Sequence, residues 1–120
     1  MADSLVIPPK FQKIMDCDAS VQADDLVYED YTLVNTCIAI STNDMPTPII
    51  GIVKKKITST SCLVFLGGVY DYTISAGKLW VSSSGDLTTT FPLTGNSQCF
   101  GVSFGDGKIY VNPEKQMLVR

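Results

Sequence analysis

Histidine is absent from this 120-residue chain, which removes the usual general base, the Ser-His and Cys-His nucleophile pairs and the commonest metal ligand. The four cysteines, Cys17, Cys37, Cys62 and Cys99, show no Cys-x-x-Cys spacing, so a zinc site is disfavoured. An acidic run, Asp16, Asp18, Asp24 and Asp25, opens with the order Asp-x-Asp-x-Ser at 16–20. That order invites a calcium loop. Such a loop needs Gly at its sixth position and Glu at its twelfth, where this chain has Val21 and Val27. The carboxylates are better read as turn and strand-edge groups. Gly67-Gly68 and Gly105-Asp106-Gly107 lack the strand-then-helix setting of a phosphate loop and read as hairpin glycines. Asp86 and Asp106 stand where Asp ordinarily forms turns. No catalytic, cofactor-binding or metal-binding residues are assigned, and the chain is not expected to be an enzyme. Whatever it does, it does with surfaces.

Composition narrows the partners. A hydrophobic content of 45% belongs to a folded domain, and the length is that of one domain. Only 18% of residues are charged. Ser and Thr supply much of the remaining polarity, and a surface so sparing of charge favours association. The net charge of −3 and pI near 4.6 argue against nucleic acid, whose phosphates need clustered cations. The basic run Lys54-Lys55-Lys56 reads as the guard of a strand edge, or else as a contact for an acidic neighbour. The first ten residues carry no basic n-region or long apolar run, and the apolar stretch Cys62–Tyr70 is too short to span a bilayer. The expectation is folding in a cytosol with free, mostly buried thiols and no membrane partner.

The elements follow from turn chemistry. Between Ile74 and Val111 four strand-like runs, Lys78–Ser82, Leu87–Thr90, Gln98–Phe104 and Lys108–Val111, are separated by 83–86, a loop around Pro92–Asn96, and 105–107. Earlier strands are expected at Leu26–Glu29, Tyr31–Ser41, Ile49–Thr58, Thr60–Leu66 and Val69–Thr73. In Tyr31–Ser41, alternation places Thr32, Val34, Thr36, Ile38 and Ile40 on the core side. Tyr70 and Tyr72 share a face with Ile74 and are expected to pack on a core or an interface. The chain also repeats itself. Val21-Gln-Ala23-Asp-Asp-Leu26-Val-Tyr28 aligns with Ile74-Ser-Ala76-Gly-Lys-Leu79-Trp-Val81, and Pro48-Ile-Ile-Gly51-Ile52 with Gln98-Cys-Phe-Gly101-Val102. Each half is a turn into a strand, then a strand with a Gly in its middle, which marks a bulge or a close backbone approach. The fold class is therefore all-β: a small barrel or sandwich of two related halves with an extended N-terminal arm. The arm, 1–15, carries Leu5, Val6, Ile7 and Phe11 around Pro8-Pro9; the β domain is 16–113; the tail is 114–120 and is either one helical turn or a last strand.

Several of these segments resemble a repeat of tailed-bacteriophage virion proteins. Val21-x-Ala23-x-Asp25-Leu-Val-Tyr28 is similar to its opening. Ile74-Ser-Ala76-Gly77-x-Leu79-Trp-Val81-Ser-x-Ser-Gly85-x-Leu87-Thr88 resembles its most distinctive segment. Pro92…Gln98-x-x-Gly101-Val-Ser103 and Lys108-Ile-Tyr-Val111-Asn-Pro113 resemble its close. Asp24 stands where the first copy usually has Gly, and Lys78 where the second often has Asp. The resemblance covers about residues 20–113. It implies a capsid decoration (cement) or head-fibre module on the virion exterior, often a trimer, that clamps neighbouring major capsid protein subunits without covalent bonds. Leu5, Val6, Ile7 and Phe11 of the arm are then the partner-binding residues. Two alternatives stand beside it: a fibre module contacting a host receptor, with Tyr70, Tyr72 or Trp80 exposed at a tip, and a cellular β-barrel binding module.

Overall fold

The computed structural model describes residues 11–119, in which ten strands and no α-helix occur. The strands are β1 (Gln12–Asp16), β2 (Leu26–Glu29), β3 (Cys37–Ala39), β4 (Gly51–Thr58), β5 (Ser61–Phe65), β6 (Gly68–Asp71), β7 (Gly77–Val81), β8 (Leu87–Thr88), β9 (Gly101–Ser103) and β10 (Lys108–Val111). They form two five-stranded antiparallel sheets, ordered β1-β5-β4-β2-β3 and β6-β10-β9-β7-β8. Adding five to each strand number of the first order produces the second. The two halves thus share one topology, and the all-β fold of related halves expected from the sequence is the fold observed.

The repeat extends to single residues. Gly51 lies opposite Val27, and Gly101 opposite Leu79. Ile50 N donates to Val27 O (2.9 Å), as Phe100 N does to Leu79 O (2.8 Å). The backbone equivalent of Leu79 is therefore Val27, one residue later than the sequence match to Leu26. Strand β2 is apolar on both faces at Leu26 and Val27, so residue type alone could not set the register. Both mid-strand glycines are close approaches. A Cβ at Gly51 would collide with the carbonyl oxygen of Phe65, and one at Gly101 with that of Tyr110.

The first sheet closes on itself. Asp16 bridges Thr36 in parallel, Asp16 N donates to Asn35 O (2.9 Å), and Asn35 Nδ2 donates to Ile14 O (3.1 Å). The barrel interior so formed holds Met15, Cys17, Val21, Val27, Cys37, Val53, Cys62 and Val64. A second core lies between the halves and takes Leu26, Met45, Ile49 and Ile52 from the first half, with Tyr70, Leu79, Val81, Leu87, Phe100, Ile109 and Val111 from the second. Leu26/Val27 and Ile52/Val53 are adjacent pairs pointing into different cores, as period-2 alternation requires of strands covered on both faces.

Three expectations change. The run Tyr31–Ser41 is not one strand: only Cys37–Ala39 pairs. Asp30 Oδ1 accepts from Thr32 N (2.9 Å) and Thr32 Oγ1 (2.6 Å), and Asn35 has φ 54°, so residues 30–35 turn instead of extending. Val34, expected in the core, is 94% exposed, whereas Cys37, expected on the opposite face, is 1% exposed. Residues 12–15, assigned to the arm, lie in β1, paired with β5 from Gln12–Phe65 to Asp16–Ser61. Gly67 and Gly68 carry the chain from β5 of the first sheet to β6 of the second, so they join the halves and do not turn a hairpin; Gly105–Gly107 does link the paired strands β9 and β10. In the tail, Leu118 bridges Ser97 with hydrogen bonds of 2.8 and 2.7 Å, so it ends in a strand-like contact and not a helical turn.

Candidate functional site

Polar side chains with buried partners hold the halves together. Gln98 is 1% exposed; its Oε1 accepts from Ile49 N (2.7 Å), and its Nε2 donates to Ile49 O (2.8 Å) and Glu114 O (2.7 Å). The amide thus pairs with Ile49 as a neighbouring strand would. Asn96 Nδ2 donates to Met45 O (2.9 Å) and Asn43 Nδ2 to Thr94 O (2.7 Å). Tyr70 OH lies 2.7 Å from Asp24 Oδ1 and 3.2 Å from Val53 O. Burial and the Asp24 carboxylate both push the Tyr70 phenol pKa up. Sequence reasoning saw Gln98 only as a motif position, because no local pattern marks a side chain whose partners lie 49 and 16 residues away.

The residues that suggested chemistry make contacts within the fold. Cys37 Sγ is 3.5 Å from Cys62 Sγ, both within the barrel, and all four cysteines are free thiols. Burial, then contact between the thiols, raises the Cys17 and Cys62 pKa values to about 11. Proteins hold such thiols neutral and unreactive. Cys99 is partly exposed. In the Asp16–Asp25 region a side chain supplies the cation: Lys56 Nζ donates to the carbonyls of Val21 (2.9 Å), Ala19 (3.1 Å) and Asp18 (3.4 Å). Asp18 itself caps Ser20 N at 3.0 Å, which holds its carboxyl below the usual range. The lysines occupy the part of β4 that runs past β2, with Lys54 at a bulge between Val53 and Lys55, and Lys54 Nζ sits 6.0 Å over the Phe65 ring.

Two apolar surfaces stand out among the described residues. The first is the outward face of the second sheet. Register puts Lys78, Val102, Tyr110 and Val69 in one row across β7, β9, β10 and β6. Val102, Tyr110 and Val69 are 40%, 44% and 57% exposed. The Lys108–Asp71 ion pair (2.6 Å) and exposed Phe104 lie beside the row. The inward neighbours Leu79, Ile109 and Tyr70 are buried. The second surface is a groove of about 960 Å³ between the 30–35 loop and residues 112–115, floored by Ile50 and Leu66.

The arm residues Leu5, Val6 and Ile7 lie outside the described residues. Phe11 is described: it is 37% exposed, and its ring lies beside Gly67. Tyr70, Tyr72 and Trp80 do not cluster as exposed side chains. Tyr70 is buried, Tyr72 packs on the shared core, and Trp80 is half-buried with its ring 4.8 Å from that of Phe91, edge to face. Comparison of the chain with protein-family models, with curated proteins and with solved structures returned no match.

Proposed function

We propose that the chain is a virion structural protein, a capsid decoration or cement subunit that stabilises a phage head by non-covalent clamping of neighbouring major capsid protein subunits. The observation that carries this reading is the exposed apolar row Val69–Tyr110–Val102 on a sheet whose inward side chains Tyr70, Ile109 and Leu79 are buried. A contiguous row of exposed apolar side chains on a sheet face suits a protein–protein contact. The resemblance of residues 20–113 to phage virion repeats supplies the class of partner. Fully burying an exposed aliphatic side chain contributes roughly 1.5–3 kcal/mol; Val102 and Val69, already partly buried, contribute less on docking, and repetition over many sites makes modest energies per copy sufficient. A trimer on the capsid exterior, with Leu5, Val6, Ile7 and Phe11 engaging a neighbour, is the arrangement this reading favours.

The test is a quantitative mass-spectrometric inventory of purified particles, with the wild-type chain and a Val102→Glu/Tyr110→Glu variant. The wild type is expected at high, stoichiometric copy number and the variant to be depleted at least tenfold while remaining folded. Absence of the wild type from particles, or equal occupancy by the variant, overturns the proposal.

A further inference from the structure

We propose that Cys37 and Cys62 are a redox pair: thiols in a reducing medium, they are converted by a disulfide oxidant such as oxidised glutathione to a disulfide that latches the barrel of the first half shut. The two Sγ atoms lie 3.5 Å apart although the residues are 25 positions apart in sequence. Closing that contact to a bond of about 2.05 Å asks for a movement of about 1.5 Å. The bond would join β3 to β5 on the inside of the barrel. It would span the seam where the sheet closes. Strand β3 pairs with β2 alone, and the closure onto β1 consists of the Asp16–Thr36 bridge with the hydrogen bonds Asp16 N to Asn35 O and Asn35 Nδ2 to Ile14 O. A link is most effective where the segments it joins would otherwise separate.

The other two cysteines are placed differently. Cys17 neighbours Cys62, but its N–H already bonds Thr60 O at 2.9 Å, so a bond there would join segments that are held together. Cys99 lies in the second half, with its Sγ on Gly101 O at 3.7 Å. Cys37 and Cys62 are 1% and 0% exposed, so an oxidant reaches them only when the seam opens, and the short edge strand β3 is the part that swings free. The Cys37 thiolate then attacks one sulfur of oxidised glutathione, whose S–S bond breaks and releases one glutathione thiolate. The Cys62 thiolate next attacks the Cys37 sulfur and expels the second glutathione thiolate. The two protons lost by the protein thiols end on the two glutathiones. The protein is oxidised by two electrons and the glutathione disulfide is reduced by two. Burial protects the thiols while the barrel is shut and traps the bond once the seam recloses.

The experiment incubates the full-length chain with excess oxidised glutathione, in buffer and in urea below the unfolding transition, where the seam opens more often. The reaction is quenched with acid, the chain is unfolded, and remaining thiols are alkylated. Cleavage after lysine and beside aspartate separates the four cysteines, and mass spectrometry reads the link. A Cys37–Cys62 peptide is expected, with the intact chain lighter by two hydrogens and only Cys17 and Cys99 alkylated. A Cys99→Ser variant, altered outside the barrel, is expected to form the same link. Amide exchange supplies a second readout: the Asp16 N–H, which bonds Asn35 O across the seam, is expected to slow about tenfold or more in the oxidised protein, because the link restricts the open state. The amides of β7 and β9 are expected not to change. Four alkylated cysteines in both media overturn the proposal. So does a link that joins Cys62 to Cys17 or two molecules through Cys99, and so does unchanged exchange at Asp16 in the linked protein. None of these results bears on the particle inventory, so the two proposals fail separately.

Discussion

Gln98 shows how one side chain can decide how two half-domains meet. Its amide satisfies both the N–H and the C=O of Ile49 inside the shared core. Removing a buried partner costs more than the net value of a hydrogen bond, because the orphaned groups keep their desolvation penalty. Gln98→Ala is therefore expected to destabilise the fold by about 2–4 kcal/mol, read as a lower urea midpoint with the slope unchanged. Gln98→Glu retains an acceptor for Ile49 N but loses the donor to Ile49 O and Glu114 O, and it brings a buried charge. It is expected to be at least as destabilised at pH 7. A loss below about 0.5 kcal/mol in Gln98→Ala, the range of an ordinary surface change, would show that the amide is incidental.

The element that most constrains the architecture is the pair of glycine-bearing strands, β4 and β9. Each passes so near its neighbour that a Cβ would meet a backbone oxygen, which cannot swing aside as a side chain can. Gly51→Ala and Gly101→Ala are both expected to cost about 1–3 kcal/mol or more through backbone displacement, measured as thermal melting of each variant. Equal stability to wild type in either would mean that the ladder can shift and that the approach is not a constraint. This part of the architecture was legible beforehand, because a glycine weakens the middle of a strand and is placed there chiefly where a bulge or a close backbone approach requires it. The loop 30–35 was not. Its alternation fits a strand, but the Asp30–Thr32 contacts supply a competing local turn, and hydrogen bonds of that kind are decided by geometry and not by hydrophobic period.

At the level of the whole molecule, two cores share one sheet, and each encloses groups that resist ionisation. Cys17 and Cys62 lie in the barrel and Tyr70 between the halves, and all three have raised pKa values. A raised folded-state value means that the native protein holds the proton more tightly than the unfolded chain does. The stability this contributes is complete below the ordinary thiol value of 9.0 and is lost as pH rises toward about 11. Urea midpoints are expected to be level up to about pH 8.5 and to fall progressively by pH 11. A Cys62→Ala variant, although less stable at pH 8, should show a shallower alkaline decline. A midpoint that stays constant through pH 11 would contradict the burial of these groups.

Composition, turn residues and internal likeness established the class of this protein: an all-β domain of two related halves, with mid-strand glycines where the backbones crowd. Those features are local, or repeat along the chain, and so are written in residue type. The closure of the first sheet through Asp16 and Thr36, the stapling of the halves by Gln98, and the choice of Val102, Tyr110 and Val69 as an open face were decided in three dimensions. The reason is physical. Each depends on which distant strands become neighbours, and an apolar residue in a strand looks the same in sequence whether its face meets a core or water.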